Sequence, residues 1–279
     1  MPALPAVIGN EVTGYVVAIG PGVSDFNVGQ PVLVFGTGGG RHAEFTAAST
    51  DIITALPANV DLDDAVCIPN YAIAWCLLKE VAPGGGDRIV YINGAAGGVG
   101  SAVVDLARDL GMTTIAGASS GEKCAFTAER GADYTIDYSR ENVPQRILEI
   151  TNGRGVDLAL DQLIGPSFTD TIPMLAPLGT IVSFNVLAGL PNDDTFAAMR
   201  ANLGKSPGIR CFSWHSFDKA PEERARILRI VLDRFASGNL KPAIHARMPI
   251  FEARKAHEAL DARSLQGKIV LKPLSLIHI

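Results

Sequence analysis

The 279-residue chain has only four cysteines, Cys67, Cys76, Cys124 and Cys211, and they stand far apart. None forms a Cys-x-x-Cys pair and no histidine sits at finger spacing from them. That pattern argues against a disulfide framework and against a structural zinc finger. The cysteines read as buried free thiols of a reducing compartment. The five histidines, His42, His215, His245, His257 and His278, are equally scattered, and no metal site is expected. Positive charge is not in excess: 24 Lys and Arg against 29 Asp and Glu leave a net charge of −5, which argues against a nucleic-acid partner. Charged residues make up 19% and hydrophobic ones 47%, a balance that excludes a disordered chain. No uninterrupted apolar run approaches the length that crosses a bilayer. The opening MPALPAVIGN lacks the basic-then-apolar order of a secretory leader, so a cytoplasmic protein without a membrane partner is expected. The length suffices for two domains, each with its own core.

What the chain does have is the stretch Arg88 to Ser101, RIVYINGAAGGVGS. Ile89 to Ile92 reads as a short buried strand, followed by a glycine-rich turn and the opening of a helix. In the Gly-x-Gly-x-x-Gly template the three positions are filled by Ala95, Gly97 and Gly100. The first lets the chain turn off the strand. The second lets backbone N–H groups approach a pyrophosphate, and the third lets helix and strand pack closely. The turn as a whole, Ala95, Ala96, Gly97, Gly98, Val99 and Gly100, is therefore a candidate dinucleotide site. A tight strand-to-helix turn also needs glycine for steric reasons alone, so the signal depends on its context.

Residues 1 to 63 read as β-rich, with strands at Glu11–Ile19, Pro31–Phe35, Ala43–Thr46 and Asp51–Ala55, separated by Gly/Pro/Asn turns and the Gly36–Gly40 loop. Asp61 opens a largely apolar helix through Ala65 to Val81, and Pro83–Asp87 is a turn. From Arg88, strands at 88–93, 113–118, 133–137, 156–161, 180–185 and 208–212 alternate with helices near 98–110, 121–130, 141–151, 165–176, 194–202 and 222–236. Six strands alternating with helices make a doubly wound parallel sheet of the Rossmann kind. After Ser237-Gly238 the pattern changes to an irregular or extended segment, a helix at 252–262 and a last strand from Gly267. The sheet domain is thus expected as an insertion. Residues 1–64 and 239–273 would form one lobe, residues 65–238 the dinucleotide-binding domain, and residues 274–279 (LSLIHI) a non-native tail.

Several stretches together resemble one family, the zinc-independent medium-chain dehydrogenase/reductases, and within it the zeta-crystallin-like quinone oxidoreductases. They are Gly9-x-Glu11-x-x-Gly14 with Val16, Val17-Ala18-x-Gly20 read through to Val28-Gly29, GAAGGVGSA (94–102), SSGEK (119–123), RGADYTIDY (130–138), GRGVDLALD (153–161) and GKIVLKP (267–273). The resemblance runs from residue 5 to residue 273. It implies a GroES-like β-rich catalytic lobe, a Rossmann domain inserted in it, NADPH bound in the cleft between them, and a homodimer formed by edge-to-edge pairing of the sheets. Zinc-dependent relatives carry a histidine ligand where this chain has Asn10. Family members usually have a long segment before the Gly-x-Glu motif, so an N-terminally truncated member is expected.

Charge decides the cofactor. NAD-binding folds place an acid after the second strand to accept the ribose hydroxyls. Here Gly117-Ala118-Ser119-Ser120 occupies that place. No carboxylate opposes a 2′-phosphate, Ser119 and Ser120 can donate to it, and Lys123 supplies a positive charge. NADPH is therefore expected over NADH, against the alternative of a solvated lysine in a helix's first turn. The resemblance adds Tyr138 beside the adenosine phosphate, and the backbone of Ser183, Phe184 and Asn185 against the nicotinamide. Asp161 and Gln162 lie on the same sheet edge, at the end of the fourth strand. Asn70, Tyr71 and Ile73 occupy the helix that would pass under the cofactor, with Ile73 where many relatives have threonine. Tyr71 is the one nearby phenol able to polarise a carbonyl or deliver a proton; local packing on a buried helix is its competing and favoured reading. Arg41 and His42 follow the Gly-rich loop and stand as cleft-mouth candidates against a solvated loop. The expected chemistry is metal-free hydride transfer to a quinone or an α,β-unsaturated carbonyl. A catalytically weak NADPH-binding protein is the alternative, and a zinc-type alcohol dehydrogenase is disfavoured by Asn10.

Overall fold

The computed structural model describes residues 5–36, 38–82 and 87–273. Thr37 within the expected Gly36–Gly40 loop, residues 83–86 of the expected Pro83–Asp87 turn, and the tail 274–279 lie outside the described residues. The chain divides into two compact units, residues 1–72 with 219–279, and residues 73–218. The first unit opens with an antiparallel sheet of β1 (Glu11–Tyr15), β2 (Pro31–Phe35) and β3 (Ile53–Ala55), in that order. The strand expected to reach Ile19 leaves the ladder after Tyr15. The strand expected at Ala43–Thr46 does not form, because the preceding amides of Gly40, Arg41 and His42 are drawn back onto the carbonyls of Val7 and Ile8. Asp51 and Ile52, read as the start of a strand, lie instead in a 3-10 turn, Thr50–Ile52.

The single helix expected through Val81 is broken. α1 (Leu62–Ala65) is capped by Asp61, whose carboxylate accepts the amides of Asp63 and Asp64. α2 (Ile68–Trp75) restarts with Pro69 in its first turn, where a missing N–H costs nothing. It runs into a π-type turn, Cys76–Glu80, closed by Val81 N–H to Cys76 O at 2.9 Å.

The second unit is the doubly wound sheet. Its strands are β4 (Ile89–Asn93), β5 (Thr113–Ala118), β6 (Tyr134–Asp137), β7 (Val156–Asp161), β8 (Leu175–Ser183) and β9 (Gly208–Cys211). The order is β6-β5-β4-β7-β8-β9 and every pairing is parallel. The intervening helices are α3 (Gly98–Asp109), α4 (Gly121–Glu129), α5 (Val143–Ile150) and α6 (Thr195–Ala201). Where a helix was expected near 165–176 there is a 3-10 turn, Phe168–Met174. Pro173 inside it cannot donate the N–H that an α-helix needs, and the chain enters β8 five residues before the expected start. One face of the sheet is closed by a core built from Tyr91, Ile115, Ile136, Ile147, Ala159, Phe168, Ile172 and Ile181.

After Asp218 the chain returns to the first unit with α7 (Pro221–Ala236), β10 (Ile244–Pro249), α8 (Ala253–Asp261) and β11 (Lys268–Lys272). β10 and β11 pair in parallel, so the segment before Pro249 is extended. The expected boundaries at 64/65 and 238/239 differ from those of the compact units, 72/73 and 218/219. The reason is specific contacts of α7. The buried Arg224 guanidinium donates to Phe35 O at 2.9 Å, Asn59 Nδ2 donates to Ala236 O at 3.1 Å, and Phe235 meets Tyr71 edge to face. The Lys268–Glu11 and Lys272–Asp63 pairs tie the last strand to the first elements of the unit. No helix among the described residues is long and apolar enough to cross a membrane.

Candidate functional site

In a sheet of this order the strand sequence reverses between β4 and β7, and ligands bind at the carboxyl ends of the strands beside that point. The glycine turn sits there. Gly94 takes φ +78°, and the amides of Gly94 and Ala95 both donate to Gly117 O, at 3.0 and 2.9 Å. The turn is thereby pinned to the end of β5, and Gly97 caps α3 without any side-chain partner for the helix amides.

The glycines have separable reasons. A Cβ on Gly100 would stand 2.7 Å from Ala95 Cα and closer still to Gly94 O, so internal packing alone forbids a side chain. A Cβ on Gly97 would meet nothing nearer than Gly94 O at 3.5 Å, an ordinary contact. The protein therefore has no internal steric need for glycine at 97. Ala95, Ala96 and Gly100 are buried, while Gly97, Gly98 and Val99 are partly open at the head of α3. Residues with the right openness and orphan amides for a pyrophosphate are thus present.

Gln162 braces this turn: its Nε2 donates to Gly94 O at 3.0 Å. Asp161 beside it is buried, and its Oδ1 accepts Asn93 Nδ2 at 3.1 Å and the amides of Leu163 and Ile164 at 2.8 and 3.0 Å. These roles were not legible in the sequence, which shows both residues at a strand end but not that β7 lies next to β4.

At the end of β5, Ser120 caps α4, its Oγ accepting the Lys123 amide at 3.3 Å. The Lys123 ammonium folds back to donate to Ser119 Oγ at 3.3 Å. Two hydroxyls, one cation and a helix N-terminus are brought together, a donor set suited to a phosphate. Glu122 is exposed, and the nearby Asp137 carboxylate accepts the Ser139 hydroxyl at 2.6 Å. Tyr138 is joined to the same corner by its amide on Ala118 O at 3.0 Å. Beneath, the Tyr91 ring fills the space a Cβ on Gly117 would need, and burial pushes its phenol well above the ordinary value.

On the other half of the edge, Ser183 ends β8, Phe184 donates its amide to Asp161 O at 3.1 Å, and Ser183 Oγ donates to Asn185 O at 3.2 Å. Phe212, just past β9, donates to Ser183 O at 2.8 Å. Beyond it, His215 Nδ1 lies 2.8 Å from Asp218 Oδ2. In the sequence His215 was one of five scattered histidines, and only the carboxylate three residues later marks it.

Residues of the first unit are placed differently. Tyr71 is 2% exposed, its ring centroid 4.9 Å from that of Phe235 at 86°, which is the packed arrangement. His42 lies against Gly9, with its ring 5.9 Å from that of His257, and Arg41 Nη1 donates to Thr46 Oγ1 at 3.2 Å. Asn10 accepts the Gly36 amide through its backbone at 3.0 Å. Among the described residues no three His, Cys, Asp or Glu side chains are gathered as a metal would require.

Comparison with known proteins agrees with this geometry. The zinc-binding dehydrogenase family matches residues 130–271, and the alcohol dehydrogenase GroES-like domain matches residues 1–58. A quinone oxidoreductase of Pseudomonas aeruginosa is 30% identical over 98% of this chain and 83% of its own length. A 2-haloacrylate reductase of a Burkholderia species is 30% identical over 96% of this chain and 81% of its own. The crystal structure of Escherichia coli quinone oxidoreductase complexed with NADPH superposes with a TM-score of 0.91 at 25% identity, covering 98% of this chain and 84% of that one. The strand order, the glycine turn and these relatives together make the chain a member of the zinc-independent medium-chain dehydrogenase/reductases, of the quinone oxidoreductase type.

Proposed function

We propose that the protein is an NADPH-dependent oxidoreductase that reduces a quinone or an α,β-unsaturated carbonyl without a metal, and that it works as a homodimer. The observation that carries the cofactor is the Ser119–Lys123 pair at the head of α4, where an NAD-binding site would carry an acid. When bound, the reduced nicotinamide supplies a hydride and is left oxidised. The chain's own residues bind and orient. The amides in the first turn of α3 take the pyrophosphate, while Ser119, Ser120 and Lys123 take the 2′-phosphate. Tyr138 flanks the adenosine, and the Ser183–Asn185 backbone faces the nicotinamide. A relative named for quinone reduction and another named for reduction of a haloacrylate, itself an α,β-unsaturated acid, support the acceptor class. Asn10, where zinc-dependent relatives have a ligand, supports the metal-free chemistry. The dimer rests on β9, which among the described residues pairs only with β8 and presents exposed Arg210 and Cys211.

Purified protein mixed with NADPH and 9,10-phenanthrenequinone, or with an enone, tests the reading through the loss of reduced-nicotinamide absorbance. Oxidation with either acceptor is the expected result. NADPH binding with no oxidation of either would leave a non-catalytic binding protein as the better account.

A further inference from the structure

The reduction adds a proton as well as a hydride, and nothing placed at the glycine turn donates one. A side chain on the same edge has the geometry of a donor. β9 ends at Cys211, directly opposite Ser183 in the ladder, and the Phe212 amide on Ser183 O holds the departing chain beside Ser183–Asn185. Three residues further, His215 stands in the 3-10 turn Trp214–Phe217. Ser213 Oγ accepts the His215 amide at 3.3 Å. Buried Trp214 packs its ring 5.5 Å from that of Phe217, which is 6.4 Å from that of Phe212. The backbone of the turn is therefore fixed by an aromatic cluster, while the His215 side chain remains 63% exposed. Its Nδ1 is held by Asp218 at 2.8 Å, which leaves Nε2 on the opposite edge of the ring.

A doubly wound sheet binds one nucleoside on each half. Ser119, Lys123 and Tyr138 mark the β5–β6 half for the adenosine. His215 belongs to the β7–β8–β9 half, the one left for the nicotinamide and the reacting atoms. We propose that His215 is the proton donor of the reduction and that Asp218 is its positioning residue, an inference that rests on the quinone or enone reading above. The acceptor gains the hydride at its β-carbon, and the C=C electron pair moves to form an enolate. The Nε2–H bond of the imidazolium then breaks as an O–H bond forms on the enolate oxygen. The imidazole left behind, with Nδ1–H still on Asp218, regains its proton from water. For a quinone the same proton goes to the hydroquinone oxygen.

The test uses the full chain. Carbethoxylation of His215 by diethylpyrocarbonate, followed on the peptide that carries it, is expected to slow when NADPH is bound; an unchanged rate places His215 away from the cofactor and overturns the proposal. His215→Ala is expected to bind NADPH like wild type and to lose about 10²-fold in kcat with an enone, the lower end of what a general acid contributes. Free imidazole should restore part of that rate, which repair of a merely structural defect would not do. Asp218→Asn should lower kcat less and leave KM alone. Wild-type turnover in His215→Ala, or a loss that imidazole does not touch, removes His215 as donor while the function stands. If wild type binds NADPH but reduces neither acceptor, the functional reading falls and the donor with it.

Discussion

Replacing Gly97 and Gly100 by alanine, one at a time, separates what the glycine turn needs for folding from what it needs for binding. At Gly100 the new methyl would press on backbone atoms, with Ala95 Cα 2.7 Å away and Gly94 O nearer still. Backbone cannot give way as a flexible side chain can, so overpacking of about 1–3 kcal/mol is expected. For a unit of this size that lowers Tm by roughly 3–10 °C. At Gly97 the backbone has φ −76° and ψ 178°, which alanine adopts freely, and its methyl meets only ordinary contacts. Stability should fall by about 0.5–1 kcal/mol, because alanine caps a helix less well than glycine, a smaller loss than at Gly100. The methyl would, however, occupy the approach to the α3 amides. Loss of one charge-assisted hydrogen bond, about 1.5–3 kcal/mol, raises the NADPH Kd roughly 10- to 100-fold. Thermal melts and nicotinamide fluorescence titrations of both variants give the result directly. A Gly97→Ala protein that binds NADPH like wild type, or a Gly100→Ala protein with an unchanged melt, would contradict this division of roles between the two glycines.

Gln162→Ala removes the bond to Gly94 O and should cost about 1 kcal/mol of stability together with a few-fold loss in NADPH affinity, read by the same two assays. Arg224→Met leaves the buried Phe35 carbonyl without its 2.9 Å donor, and chemical denaturation should show a loss of about 2 kcal/mol. Burial, helped by His257, holds the His42 imidazole below its ordinary value of 6.5. The folded state thus favours the neutral ring, and its contribution is full above pH 6.5 and lost as the pH falls through the lower folded value. Melts between pH 7.5 and 5 should show Tm falling in wild type and a shallower fall in His42→Gln; parallel slopes would count against the assignment.

Much of the fold was written locally. β2, β5 and β7 coincide with the runs PVLVF, TTIAGA and VDLALD, because apolar β-branched segments bounded by turns have little else to become than buried strands. The Ser119–Lys123 corner was legible because its residues are neighbours in sequence, and the cap at Ser120 sets their geometry. What failed locally depended on partners far along the chain. The segment at Ala43–Thr46 has strand composition, yet the amides before it are claimed by Val7 and Ile8. The helix α7 reads as the last helix of the sheet domain, but Arg224 reaches back 189 residues to Phe35. Pro173 was in plain view and still left the 165–176 helix expected, since proline is tolerated in a first turn and its place within the element was unknown. Gln162 and His215 gained roles only from the strand order, which places β7 against β4 and β9 against β8.

On this reading the sheet's carboxyl edge takes a dinucleotide with a 2′-phosphate. Calorimetric titration of the wild-type protein with NADPH and with NADH, repeated with Lys123→Ala, tests it most directly. NADPH is expected to bind more tightly than NADH, with Lys123→Ala raising the NADPH Kd roughly tenfold or more by loss of a charged hydrogen bond. The NADH affinity should be left as it was. Equal affinity for the two cofactors in the wild type, or a Lys123→Ala protein that weakens both alike, would contradict it.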